Sequence, residues 1–172
     1  MKASIAIETQ RLLLRHFVLE DAEQLASVQA DPIVMKYLRR RNYQETLATL
    51  DWIFKCYDKY GYGLWAVIHK ADNKLIGRAG LIWQNLPAIN LKDVEIAYLL
   101  AQDYWGQGLA TEAAMAIRDY GFEVIGCKRL ISLIDSNNIA SQKVALKVGL
   151  TYEREVTIEE KPVDVYGIVS SC

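Results

Sequence analysis

Histidine, cysteine and proline are scarce in this chain: two, three and three of 172 residues. His16 and His69 lie far apart without a partner motif, which leaves no ground for a metal or catalytic role. Cys56, Cys127 and Cys172 are odd in number and widely spaced, so they form neither a zinc pattern nor a disulfide framework. Reduced thiols, and hence a cytoplasmic protein, suit that usage. Neither Cys56 nor Cys127 stands in a nucleophile motif, so nothing calls for a covalent intermediate on the protein. Pro32, Pro87 and Pro162 fall at turns, and no linker, repeat or low-complexity tract divides the chain.

An excess of either charge is missing too. Lys and Arg total 20, Asp and Glu 21, and the formal net charge is −1, so no global field recruits nucleic acid or an anionic membrane. The one basic run, Arg39-Arg40-Arg41, reads as a solvated loop or helix end; a nucleic-acid module built on it would bind in a salt-dependent way. No apolar run approaches the ~20 residues of a membrane span, and no charged and then apolar leader opens the chain. The expectation is a protein that neither crosses a membrane nor is targeted to one.

What remains is ordinary globular usage, 52% apolar and 24% charged, in a length that suits one domain over residues 1–172 with a self-sufficient core. Residues 11–15 read as the first strand, followed by an amphipathic helix that opens at Glu20-Asp21 and ends at Asp31-Pro32. A short helix through Met35 and Tyr37 leads into the arginine run. Leu47, Leu50, Ile53, Phe54 and Tyr57 then make the buried stripe of a helix over residues 44–60, stopped by Gly61. A hairpin follows, with strands at 65–68 and 75–82, and then a polar turn over 85–92. A strand at 94–100, a helix at 110–125, a strand at 130–134 and a helix at 138–148 come next. A last hairpin turns at Glu159-Glu160-Lys161-Pro162. Antiparallel strands followed by strand–helix–strand–helix predict an α/β fold with a mixed sheet.

The stretch V-E-I-A-Y-L-L-A-Q-D-Y-W-G-Q-G-L-A-T-E-A-A carries the chemistry. It is an apolar strand, a turn with Gly106 and Gly108, and an alanine-rich helix. Neither glycine has a Cβ to keep a ligand away, and the helix start offers free N–H groups and partial positive charge. That combination suits phosphates. It is not a Walker loop, since no lysine follows the glycines, and it is not the dinucleotide fingerprint, since Thr111 stands where the third glycine belongs.

The segment Trp105-Gly106-Gln107-Gly108-Leu109-Ala110-Thr111-Glu112-Ala113 resembles the acetyl-CoA-binding motif of the GNAT N-acetyltransferase superfamily, Q/R-x-x-G-x-G/A. It is most similar to the branch of the ribosomal-protein N-terminal acetyltransferases. Asp135-Ser136-Asn137-Asn138-Ile139-Ala140-Ser141, with Val144, Leu146, Lys147, Gly149 and Leu150 after it, resembles that branch's N-x-x-S…K-x-G-F/L block. Glu8-Thr9-Gln10-Arg11-Leu12-Leu13-Leu14-Arg15 and Glu20-Asp21-Ala22 are similar to its opening. Three motifs in order span nearly the whole chain.

The resemblance implies the GNAT fold: a mixed, mostly antiparallel sheet flanked by helices, with two central strands splayed to admit acetyl-CoA. It implies an acetyl group moved to a primary amine by direct attack in a ternary complex, with CoA as product. In this reading Leu99, Leu100 and Ala101 lie along the pantetheine arm, and Gly106, Gln107, Gly108, Ala110 and Thr111 hold the pyrophosphate by their N–H groups. Gln107 stands where relatives often carry lysine or arginine. Glu95 takes the place of the general base; as a residue it is equally a pleat glutamate facing solvent. A backbone N–H near Leu99 serves the oxyanion. The tyrosine that many members use for the departing thiolate is absent, since its position is Ala145, and Ser141 is the substitute. Ser141 can equally be a first-turn residue, and Asn138 either binds the pantetheine arm or caps the helix.

Tyr37, Tyr166 and the loop from Trp83 to Asn90 are where a member would meet its acceptor. As residues, Trp52, Trp65 and Trp83 read as core or sheet packing. The acceptor is a peptide N-terminal α-amine or a small amine, the protein a monomer or homodimer, and no nucleic acid, membrane or metal takes part. A different class fits the same motifs: a noncatalytic acyl-CoA-binding or sensing domain.

Overall fold

Leu12 and Leu14 are fully buried while Leu13 and Arg15 are not, the period of two that makes a strand with one covered face. In the computed structural model, which describes residues 4–171, these residues form β2 (Leu12–Arg15), paired with a short edge strand β1 (Ile5–Glu8). Strand β1 was not expected; four residues at a sheet edge leave too short a pattern to read. After a 3-10 turn at Leu19–Asp21 come helix α1 (Ala22–Ala30) and helix α2 (Tyr43–Tyr60). Strands β3 (Leu64–His69), β4 (Lys74–Leu86) and β5 (Leu91–Leu100) form an antiparallel meander. Helix α3 (Leu109–Glu123), β6 (Arg129–Asp135), α4 (Ile139–Val148), β7 (Thr151–Ile158) and β8 (Lys161–Val169) complete the chain.

All eight strands join one sheet in the order β1-β2-β3-β4-β5-β6-β8-β7. Every pairing is antiparallel but one. Strands β5 and β6 run parallel and meet only at Val94–Leu130 and Glu95–Ile131, after which they part. The expected splay is therefore in the middle of the sheet. Helices α3 and α4 cover one face through Leu109, Ala113, Ile117, Ala145 and Val148, which pack on Trp65, Val67, Ile96 and Leu130. Helices α1 and α2 cover the other through Leu25, Leu50 and Ile53 on Leu64, Ala66 and Ile68.

Local chemistry sets the helix ends. Asn42 caps α2 in a reciprocal box with Glu45, and Gly61 ends it with a φ of 74° that a side chain would resist. Asn138 caps α4, and Gly149 closes it at φ 98°.

Two expectations need correction. No helix runs through Met35 and Tyr37; residues 32–37 form successive turns. The carboxylate of Asp31 accepts from the N–H groups of Ile33 and Val34, an Asx arrangement that competes with helix propagation. The polar turn over 85–92 is also tighter than expected. Leu86 pairs with Leu91, and Pro87–Ile89 with a left-handed Asn90 make the whole connection. No helix among the described residues is long and apolar enough to cross a membrane.

Candidate active site

Where β5 and β6 part, a cavity of about 1320 Å³ opens through the sheet. It reaches from Glu95 between the splayed strands to the α3 entrance, and outward beneath the segment that joins α1 to α2. Pleat alternation decides what lines it. Ala101 N–H donates to Ile76 at 2.7 Å, which turns the backbone groups of the odd-numbered β5 residues toward β4. Those of Ile96, Tyr98 and Leu100 then face the gap. Two are already engaged there: Ser132 Oγ donates to the Ile96 carbonyl, and the Trp105 indole N–H to the Leu100 carbonyl. The N–H groups offered to an amide ligand or an oxyanion thus belong to residues on either side of Leu99, whose own backbone faces β4. Leu99 and Leu100 line the cavity, whereas Ala101 does not.

Glu95 sits at the last paired position before the strands separate and is 8% exposed. Burial pushes its carboxyl up to about 7, against hydrogen bonds from the Gln84 amide and the Leu133 N–H that favour the ionised form. Gln84 Nε2 donates to Glu95 Oε2 at 2.5 Å and fixes the carboxylate plane. The solvent-facing pleat alternative is excluded by this burial. A carboxyl near 7 is divided between its two forms at neutral pH, as an acid–base group should be.

At the other end, Gly106 and Gly108 adopt φ values of 74° and 77°, and Gly108 is the N-cap of α3. No N–H group from Gly106 to Thr111 donates to a described backbone carbonyl. A Cβ at Gly106 would meet nothing, so the loop is open to a ligand rather than packed under protein. Gly106, Gly108, Ala110 and Thr111 line the cavity; Gln107 does not. The loop is held from outside. Arg11 Nη1 donates to the Gln107 carbonyl at 2.8 Å, and Arg11 Nε donates to Glu112 at 2.7 Å. The Thr9 hydroxyl and Arg11 N–H also donate to Glu112. Thr9 and Arg11 of the opening motif therefore position the turn, a role that the motif alone did not disclose. These features fit a pyrophosphate, and the open β5 edge fits an amide-bearing arm.

The α4 end contributes Asn137, Asn138 and Ser141 to the lining. Asn138 Oδ1 accepts from Ser141 N–H at 3.2 Å, so its cap role is realised while its amide N–H₂ points elsewhere. The Tyr98 hydroxyl, missed from the sequence, donates to the Ser141 carbonyl at 2.9 Å, and burial pushes it further above its ordinary range. Ala145, in the place of the missing tyrosine, is buried core.

Of the three acceptor candidates only Tyr37 lines the cavity. Trp83 pairs with Val94, and Tyr166 is buried against Tyr152 on β7; the pleat turns both to the face covered by α3 and α4. Trp52 departs from the packing expected of it: it is 42% exposed at the cavity mouth. Arg41 and Arg78 also line the cavity, Gln84 holds Glu95 from behind, and all three were missed. The signal for Arg78 was present, a single charge in the apolar strand L-I-G-R-A-G-L-I.

Residues 11–151 match the family model described as the acetyltransferase (GNAT) domain. The chain belongs to the GNAT acetyltransferase family. As a member it is an N-acetyltransferase whose donor is acetyl-CoA. This GNAT chain is 33% identical over 170 residues to the uncharacterised protein YkkB of Bacillus subtilis strain 168, covering 96% of each. Its fold matches an acetyltransferase from Agrobacterium tumefaciens strain C58 at a TM-score of 0.82 and 24% identity, covering 99% and 95% of the two chains. It also matches the ribosomal L7/L12 α-N-protein acetyltransferase RimL, solved with CoA, at 0.74 and 18% identity, covering 96% and 98%.

Proposed function

We propose that this GNAT enzyme acetylates a primary amine by direct transfer in a ternary complex, with Glu95 as general base. The observation that carries this reading is a buried carboxyl near 7 at the point where the two central strands part. An ammonium of pKa ~10 cannot attack until it loses a proton, and Glu95 accepts that proton directly or through a water. Acetyl-CoA supplies an activated thioester carbonyl when bound. The acceptor nitrogen then bonds to that carbon as the carbon–sulfur bond breaks. N–H groups on the open edge of β5, at Tyr98 and Leu100, stabilise the oxyanion.

Attack leaves a further proton on the acceptor nitrogen, and Ser141, directly or through a water, relays it to the departing sulfur and ends as the neutral hydroxyl it began as, with the Tyr98 hydroxyl anchoring its backbone. A thiol of pKa ~8.5 leaves readily, so a weak acid is enough. Gly106, Gly108, Ala110 and Thr111 hold the pyrophosphate and Asn138 borders the pantetheine arm. One domain over residues 1–172 carries all of this, and the free Cys56 and Cys127 suit the reducing cytoplasm. No observation favours a noncatalytic binding role.

Calorimetric titration with acetyl-CoA, CoA and ATP tests the reading first. One-site binding of the thioester and of CoA, but not ATP, followed by acetyl transfer in an amine screen, is the expected result. A folded sample that ignores millimolar acetyl-CoA would sink it.

A further inference from the structure

Arg78 is the most unusual side chain of the cavity. It lies on β4 opposite Leu99, and it lines the cavity floor beneath the α1–α2 connection. Its Nε is buried without a hydrogen-bond partner, and no described carboxylate pairs with it. The residue as a whole is half-buried and borders the cavity; desolvation, with Arg41 adding to it, pushes the guanidinium down to about 10, and it remains a cation at neutral pH. A guanidinium whose Nε is buried without a partner at a cavity wall is left to be answered by what enters the cavity.

Arg41 is the second cation on this side. Its Nη1 donates to Thr49 Oγ1 at 2.9 Å and its N–H to the Gln29 carbonyl at 3.1 Å, which fix its place at the cavity wall. The carboxylate nearest to it in the fold is occupied: Glu45 accepts from Arg39 at 2.7 Å and from Asn42 N–H at 2.9 Å. Glu95 contributes a charge felt at Arg78 but no ion pair with it. The acceptor half of the cavity, which Lys36 and the Glu45-paired Arg39 also line, thus presents two guanidinium groups without a carboxylate ion pair at one end and Glu95 at the other.

Resting on the acetyl-transfer reading, we propose that the acceptor is a small zwitterion, with its amine directed at Glu95 and a carboxylate received by Arg78 and Arg41. Arg78 and Ile82 lie on the same face of β4, and Ile82 pairs with Glu95. Four residues of strand separate the two ends by about 13 Å at the backbone, a span that the long side chains shorten to the length of a small amino acid. A planar guanidinium meets a carboxylate with two parallel hydrogen bonds, which a second ammonium cannot accept. Polyamines are therefore poor acceptors here. Ile33, Leu38 and Trp52, 51%, 50% and 42% exposed, ring the mouth and suit an apolar portion beyond the carboxylate.

The test compares matched acceptors: ω-aminohexanoate, its amide, and diaminohexane, then phenylalanine and phenylalaninamide. CoA release at saturating acetyl-CoA gives kcat/KM for each. The carboxylates are expected to exceed their amides by at least about tenfold, the range of a hydrogen-bonded charge. Arg78→Gln and Arg41→Gln each bring that ratio toward one, mainly through KM, with the acetyl-CoA Kd unchanged; Arg78→Lys restores part of it. Circular dichroism confirms that each variant is folded, and Arg41→Gln, at a wall position, stands in if Arg78→Gln is not.

Equal rates for acid and amide, preference for the diamine, no turnover of either carboxylate, or a weakened acetyl-CoA Kd in Arg78→Gln each overturn the proposal. Loss of acetyl-CoA binding by the native protein would instead strike the acetyl-transfer reading. Calorimetric titration of ω-aminohexanoate alone then decides this one: binding lost in Arg78→Gln upholds it, and no binding refutes it.

Discussion

Glu95 concentrates the chemistry of the site in one titration. Because burial raises its carboxyl to about 7, the unprotonated base is populated only as pH rises through that value. The kcat/KM profile should therefore climb with pH and level off above 7, and Glu95→Gln should abolish that limb while lowering the rate about 10²–10⁴-fold. The same shift bears on stability. The folded state holds a proton that the unfolded chain releases near 4.5, so Glu95 removes stability as pH climbs from 4.5 through 7. Glu95→Gln should then raise Tm at pH 8 more than at pH 5, with an upper limit of about 3 kcal/mol. A melting difference independent of pH would refute the assignment. Ser141→Ala should reduce kcat only about tenfold and spare acetyl-CoA affinity, because the thiol is already a good leaving group.

Elements hold these side chains through their ends. The α2 cap joins Asn42, Glu45 and Arg39 beside Arg41, so helix start and cavity wall are one structure, the wall proposed above for the acceptor. Asn42→Ala should cost about 1 kcal/mol in a urea titration. It should also raise acceptor KM while leaving acetyl-CoA affinity alone, since the α3 entrance lies elsewhere. The α3 entrance is fixed by Glu112, which receives Thr9 and Arg11 from the β1–β2 turn and sits in the first helical turn, where a carboxylate is favoured. Glu112→Ala frees Arg11 from its bond and loosens the Gln107 carbonyl. The expected result is acetyl-CoA binding weakened several-fold by calorimetry, with acceptor selectivity unchanged.

At the scale of the molecule, the cavity exists because the sheet is interrupted. Two residue pairs join β5 to β6, against ten between β4 and β5, so the sheet halves hinge on a narrow seam that helices α3 and α4 cover. A ligand that bridges the seam stabilises the fold by mass action. Acetyl-CoA at a hundred times its Kd should add about 2.7 kcal/mol, read as a rise in Tm that grows with the logarithm of concentration. The meander that frames the cavity tolerates little change. A Cβ on Gly80 would stand 2.1 Å from the Gly63 carbonyl, so Gly80→Ala should destabilise the protein by about 1–3 kcal/mol.

Much of this architecture is readable along the chain, because it depends on neighbours a few residues apart. The stripe of Leu47, Leu50, Ile53, Phe54 and Tyr57 announces α2, Gly61 and Gly149 end helices where left-handed backbone is needed, and the Gly106–Gly108 turn marks the entrance to α3. Local competition also explains a miss: the Asp31 side chain captures N–H groups that the expected helix through Met35 required. The site is different. Whether Glu95 faces solvent or a dry cavity depends on β6, which meets it across 36 residues of chain at Ile131. That Gln84 and Arg78 share the Glu95 face of β4, while Trp83 and Tyr166 turn to the face covered by α3 and α4, follows from strand register. The sequence alone determined most of the elements, the glycines that end α2 and α4, and the family's motifs; tertiary structure decided the electrostatics, because desolvation and charge proximity are properties of space rather than of spacing.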